Sequence, residues 1–166
     1  MHSSFIPYSQ LQSCGYDLST PDAARFVEMC KRVEALLASI ATEFREVPAP
    51  RITLHVARAY DDEWGVSKER GEELKAKDFE TSWQEVSDSK IEDFQEYFTF
   101  SDSEGWRFYL PAFMCHFLRD FPNGAFVAVC TAVRRPGDRL ELLTEGQRRC
   151  VDEFRELCDS HHIWSP

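Results

Sequence analysis

A chain of 166 residues with 43% hydrophobic and 13% aromatic residues can bury a core in one domain, which argues against a wholly disordered chain. Its formal net charge of −10 argues against a nucleic-acid partner, because that role needs a basic footprint. No run approaches the ~20 apolar residues of a membrane span, so no membrane partner is expected.

The charge is unevenly placed. Residues 51–105 carry fifteen acids and seven bases, while residues 106–166 carry eight of each. An excess confined to one third of the chain predicts a single acidic face, whose simplest role is to keep the protein in solution. The start lacks a basic segment followed by a long apolar one, so no secretory signal is expected and the cytoplasm is the default compartment. Six cysteines without a C-x-x-C pair, three of them inside apolar runs, read as reduced core thiols.

In chain order, residues 1–19 are a polar arm with scattered aromatics, laid on the domain or partly disordered, and residues 20–166 form one helical domain. Thr20-Pro21-Asp22 combines a capping hydroxyl, a first-turn proline and an acid at the positive end of the helix dipole. Ala23, Phe26, Val27, Cys30, Val33, Leu37, Ile40 and Phe44 then recur at helical spacing, so a long amphipathic helix runs to about Glu46. Pro48 and Pro50 end it.

Ile52, Val56, Ala59 and Tyr60 give a shorter helical stripe. Ser67 caps a third helix that has only Leu74 and Ala76 to bury and must lie on the surface. Phe79 and Trp83 pin an irregular stretch to the core. Ile91, Phe94, Tyr97 and Phe98 mark a fourth helix.

Residues 102–114 are the densest stretch. Asp102-Ser-Glu-Gly105 reads as a turn, with glycine free to take a positive φ. Trp106, Phe108 and Leu110 alternate with Arg107 and Tyr109, so a short extended piece buries the first three and turns the other two outward. Pro111 opens the next helix, which stops by Pro122-Asn123-Gly124. Residues 125–133 suit a buried strand or a buried helix equally by length, and the helical neighbourhood favours helix. Thr144 and Gln147 form a capping box for the last helix, through Val151, Phe154, Leu157 and Cys158. The expected fold class is mainly α: one compact domain of five to seven helices, with short extended segments allowed around 106–110 and 125–131.

Several motifs occur in order: Tyr60-x-Asp62-Glu63-Trp64, Trp83-x-Glu85-Val86, Gly105-x-Arg107-Phe108-Tyr109-Leu110-Pro111-Ala112-Phe113-Met114, and Leu143-Thr144-x-x-Gln147. Together they resemble a family of small bacterial proteins known only as a domain of unknown function, over roughly residues 52–158. The resemblance implies a bacterial origin and a compact intracellular domain. It brings no catalytic residue.

Candidate chemistry is sparse. Cys158, His161 and His162, with His2 and Cys14 at the other end, lack the paired spacing of structural zinc, so no metal is expected. There is no G-x-S-x-G elbow, P-loop or Rossmann glycine pattern, and no cofactor is expected. His55 and His116 lie on helical segments, where a hydrogen-bonded, half-buried histidine is the ordinary reading. The carboxylates of Asp61, Asp62, Glu63, Asp102 and Glu104 suit hydrolysis only if two of them converge in a cleft. Tryptophan and tyrosine beside acids suit a binding face instead.

The candidate cluster is therefore Asp62, Glu63, Trp64, Trp83, Arg107 and Tyr109, with an ion pair between Arg107 and Asp62 or Glu63. The favoured function is a non-catalytic module that binds a basic protein surface through its acidic face, as an immunity protein or inhibitor does. The alternative is a small hydrolase or transferase with a carboxylate and Arg107 in one pocket.

Overall fold

The computed structural model describes residues 8–11, 13, 15, 17, 19–63, 65–120 and 123–161. Expectations that rest on His2, Cys14, Trp64, Phe121, Pro122 or His162 lie outside the described residues. Nine α-helices and two 3-10 helices, with no strand, make up the described residues. The α-helices are α1 (Tyr8–Leu11), α2 (Pro21–Glu43), α3 (Leu54–Asp62), α4 (Lys68–Lys75), α5 (Asp88–Asp93), α6 (Tyr97–Phe100), α7 (Ser103–Arg119), α8 (Phe126–Arg134) and α9 (Glu145–Ser160). The 3-10 helices are Trp83–Glu85 and Gly137–Leu142. The excess over five to seven helices comes from α1 and from the fourth helix expected through Ile91, Phe94, Tyr97 and Phe98, which is broken into α5 and α6. Each is six residues or shorter, too short to show a 3.6-residue period.

Helix α7 is the centre. It touches α2, α5, α8 and both 3-10 helices, while α2 packs along α9. Every residue from Trp106 to Leu118 except Arg107 is buried, so α7 is apolar almost all round, as a central helix must be.

This is why the extended piece expected at residues 106–110 is wrong. A helix buried on nearly every side shows no polar face, and any two-residue alternation inside it is accidental. Tyr109 is only 1% exposed. Pro111 lies inside α7 rather than at its start, and its missing N–H frees the Arg107 carbonyl from the helical ladder. The segment at 125–131 is likewise helix, within α8 and its first turn.

Residues 102–105 are a cap, not a turn. The Asp102 carboxylate accepts the Gly105 N–H at 2.8 Å, and the glycines with positive φ are Gly15 and Gly137. Gly105 is needed for another reason: the Tyr97 hydroxyl crosses directly over it to donate to the Ile52 carbonyl at 2.7 Å.

The end of α2 is fastened by two side chains. The Trp83 indole N–H donates to the Phe44 carbonyl at 3.0 Å, and the Gln147 amide donates to the Glu43 carbonyl at 2.9 Å. These satisfy carbonyls that a helix leaves open at its C-terminus. Among the described residues, no helix is long and apolar enough to cross a membrane.

Candidate functional site

The side chains named from sequence fall in separate places. Asp62 is exposed at the end of α3, and Glu63 pairs with Arg70 at 3.0 Å across the α3–α4 turn. Trp64 lies outside the described residues. Trp83 is buried against the end of α2. Arg107 Nε donates to Gln147 Oε1 at 3.2 Å, so the ion pair expected with Asp62 or Glu63 is not formed. The same Gln147 oxygen accepts the Thr144 N–H, which makes Arg107 part of the joint between α7 and the start of α9. Tyr109, expected to face outward, is instead buried and lines a cleft.

That cleft is where the chain places polar groups against the ordinary rule. In the segment 78–80, Asp78 and Glu80 are buried while Phe79 between them is 78% exposed. An extended tripeptide normally turns its phenylalanine inward and its acids to water. Here the alternation is inverted. The expectation that Phe79 pins this stretch to the core is therefore wrong; Trp83 alone of the two does so.

Asp78 is held in by α3. The Thr53 side chain makes no capping bond to the start of α3. Asp78 replaces it from across the fold, accepting the His55 N–H at 2.9 Å and lying 2.7 Å from His55 Nδ1. A carboxylate at a helix N-terminus meets open N–H groups and the positive end of the dipole. Lys90 of α5 lies between the acids, 3.0 Å from Asp78 and 2.6 Å from Glu80. Its ammonium also stands 5.2 Å from the centre of the Phe79 ring.

Two buried carboxylates thus share one ammonium. Burial pushes the Asp78 carboxyl up, but the His55 N–H, the Thr53 hydroxyl, the His55 ring and Lys90 outweigh it and hold the group below its ordinary 3.8. Burial likewise depresses Lys90, and the Glu80 and Asp78 carboxylates outweigh that and hold it above 10.5. Burial, then the nearby Asp78 and Glu80 charges, push the Tyr109 phenol far above its usual range, so it stays protonated.

These shifts fix a pH dependence. A depressed Asp78 stabilises the fold above pH 3.8, and that stability is lost as pH falls through the lower folded value. A raised Lys90 stabilises it below pH 10.5, and that is lost as pH rises through the higher folded value. Urea denaturation across pH should show both limbs, with Asp78→Asn flattening the acid one and Lys90→Met the alkaline one. Limbs unchanged in the two variants would contradict these assignments.

As with Gln95 Oε1 and Trp106 Nε1 elsewhere in the fold, two enclosed polar atoms here have no regular hydrogen bond: Glu80 Oε2 and the Thr53 hydroxyl. The Thr53 hydroxyl nonetheless helps to hold the Asp78 carboxyl down. Both residues line an open cleft of about 320 Å³ with Ala49, Pro50, Tyr109 and the end of α4.

Elsewhere, His116 is held between Asp88 and Glu92, at 3.0 and 2.5 Å. Burial pushes the Cys115 thiol up to about 12 and Cys150 up to about 11, so neither is a thiolate nucleophile. Among the described residues no group of three His, Cys, Asp or Glu side chains is arranged to hold a metal ion.

The residues that sequence reasoning missed are Thr53, Asp78, Phe79, Glu80 and Lys90. Their signal was the Asp-Phe-Glu alternation itself, with a lysine ten residues on. No curated protein and no solved structure matches the chain. A family profile matches residues 32–162, spanning the cleft, the central helix and the α2–α9 pairing, and the chain belongs to that family of unknown function (DUF6714).

Proposed function

We propose that the chain is a non-catalytic binding module that engages a basic protein surface through the acidic face of residues 61–104, with Phe79 as its apolar anchor. The observation that carries this reading is Phe79, 78% exposed between two buried acids. A large aromatic held out of the core, ringed by charge, is what the centre of a contact surface requires. Asp61, Asp62, Glu69, Glu72, Glu73, Glu85 and Asp88 of the same segment are exposed, and Glu72 lines the cleft beside Phe79. Such a face steers a basic partner to the site. An immunity- or inhibitor-like role, masking a basic site, fits this chemistry.

The reading is tested with peptides selected from a random display library on the wild-type chain. The expected result is enrichment of lysine or arginine next to an apolar residue. Affinity should fall as salt rises, since surface charge is screened over ~10 Å at 0.1 M. Phe79→Ala should weaken these peptides about tenfold or more and leave stability within ~0.5 kcal/mol. Peptides without basic residues, or equal binding to Phe79→Ala, would overturn it.

A second reading, a small hydrolase or transferase, has one observation in its favour. Asp78 orients His55 through Nδ1, the arrangement that frees the other ring nitrogen as a base. The arginine assigned to that pocket, Arg107, sits with Gln147 instead. Turnover of p-nitrophenyl esters or phosphates that His55→Gln abolishes would favour it; no turnover would dismiss it for those chemistries.

A further inference from the structure

A face for basic partners does not explain where the acidic segment keeps its own bases. Residues 51–105 carry fifteen acids and seven bases. Arg58 pairs with Glu96, Arg70 with Glu63, and Lys90 with Asp78 and Glu80. Among the described residues Arg51, Lys68, Lys75 and Lys77 meet no acid, although acids abound around them. Arg51, Lys68 and Lys75 line one cleft of about 460 Å³ between α3 and α4.

The charge there is positive. Glu72 is the acid that lines the cleft, against three bases, and its carboxylate pairs with none of them. The other acids of these two helices and their turn, Asp61, Asp62, Glu63, Glu69 and Glu73, do not line it. Glu63 and Glu73 are held by Arg70. The floor is apolar. Val56, Ala59 and Leu74 form a small cluster apart from the main core, with Ile52 and Val66 packed on it. Ile52, Val56 and Val66 line the cleft, as does Tyr60, which is 41% exposed.

Gly71 is an independent sign. It stands inside α4, where glycine is a poorer helix former than alanine. A Cβ at this position would meet only Val66 Cγ1, at 3.9 Å, so no contact within the fold requires glycine. Gly71 lines the same cleft, and its missing side chain keeps the cleft open.

The geometry points to a binding site between α3 and α4 for a small organic anion with an apolar body. The body lies on Ile52, Val56 and Val66 beside the Tyr60 ring, in the space left by Gly71. Its carboxylate or phosphate meets Arg51, whose fork suits either group, while Lys68 and Lys75 add charge. A cleft of this size, apolar with a few convergent polar groups, is how small-molecule sites are built. A bare inorganic anion leaves the floor uncovered. An uncharged body leaves the bases unpaired, and a cation is repelled by them. The site does not rest on the binding reading above. It is a different cleft from the one beside Phe79, although Glu72 and Lys75 line both.

Amide NMR of the full chain, titrated with naphthyl phosphate and with naphthoate, tests this directly. Inorganic phosphate, the uncharged naphthyl methyl ether and naphthylmethylammonium are the comparisons. Saturable shifts at residues 51–60 and 66–75 are expected with the two organic anions, and binding at least tenfold weaker with the other three. The tighter of the two anions identifies the head group as phosphate or carboxylate. Arg51→Gln combined with Lys68→Gln should weaken both by roughly tenfold or more. Both side chains are exposed and unpaired, so the midpoint of thermal unfolding should hold. Gly71→Leu should fill the cleft and abolish the shifts without lowering the midpoint, since leucine is the better helix former. The charge variant decides the matter even if Gly71→Leu is destabilised. Phe79→Ala should leave the shifts unchanged, and their loss there would overturn a separate site. Wild-type affinity in the charge variant, or no saturable shift with either anion, would overturn the proposal. Equal affinity for any of the three comparison compounds would also overturn it.

Discussion

Lys90→Met is expected to destabilise the fold by about 3 kcal/mol. Removing one partner of a buried ion pair typically costs ~3–5 kcal/mol, because the other charge is left in a poor solvent. The lower end applies, since the Lys90 side chain is 20% exposed while those of Asp78 and Glu80 are 0% and 3%. The substitution keeps the stem and its packing, so the loss reports charge. It strands two carboxylates at once, one of which caps α3. The variant Lys90→Met with Glu80→Gln should therefore regain part of the loss, as one of the two stranded charges is removed. Urea denaturation of wild type, both single variants and the double variant gives the coupling. A single variant at the wild-type midpoint would show that the cluster is hydrated and that its burial has been misread.

Gly105→Ala should cost ~2–4 kcal/mol, although alanine is the better helix former. Helix propensity alone favours alanine by up to ~1 kcal/mol. Against it stands the Tyr97 hydroxyl, which a methyl group at 105 would strike, with the Ile52 carbonyl 3.0 Å away. Tyr97 is fully buried and its ring cannot step aside. Overpacking typically costs ~1–3 kcal/mol, and a broken buried hydrogen bond about as much again.

Gly146→Ala is the control. There the obstacle is the Glu43 carboxylate, the far end of an exposed and flexible side chain. It can swing into solvent, so Gly146→Ala should be neutral or stabilising by up to ~1 kcal/mol. Equal losses at the two glycines in thermal unfolding would show that the rigidity of the neighbour does not decide the outcome.

The long peripheral helices were legible in the sequence because each carries its own boundary and a face. Thr20 accepts the Ala23 N–H and Pro21 begins α2, and Thr144 with Gln147 forms the capping box of α9. Helix α7 carries no such face. A helix buried on nearly every side has no polar stripe, so periodicity gives no reason to prefer helix over strand, and Pro111 in its interior looked like a boundary. The wrong placement of Tyr109 followed from that one error.

The candidate site was barely legible. Its acidic segment stood out by charge, but the acids that matter are the two that are buried, and composition cannot separate them from the exposed ones. A three-residue alternation does not reveal which side faces the core, and the usual rule assigns it backwards at Phe79. Glu63 had a nearer partner in Arg70 than the Arg107 chosen for it. The cap that Asp78 places on α3 joins positions 23 residues apart, which only the fold can show.

The central claim is that Phe79 marks the face the protein uses. A photo-reactive benzoylphenylalanine in place of Phe79, with a second version at Val127 as reference, tests it in cells making the full chain. Val127 is also well exposed, at 67%, but lies on α8 outside the acidic segment. A discrete crosslinked partner at position 79, absent at position 127, is the result expected. The same adducts at both positions, or an adduct at 127 alone, would contradict the assignment of the binding face.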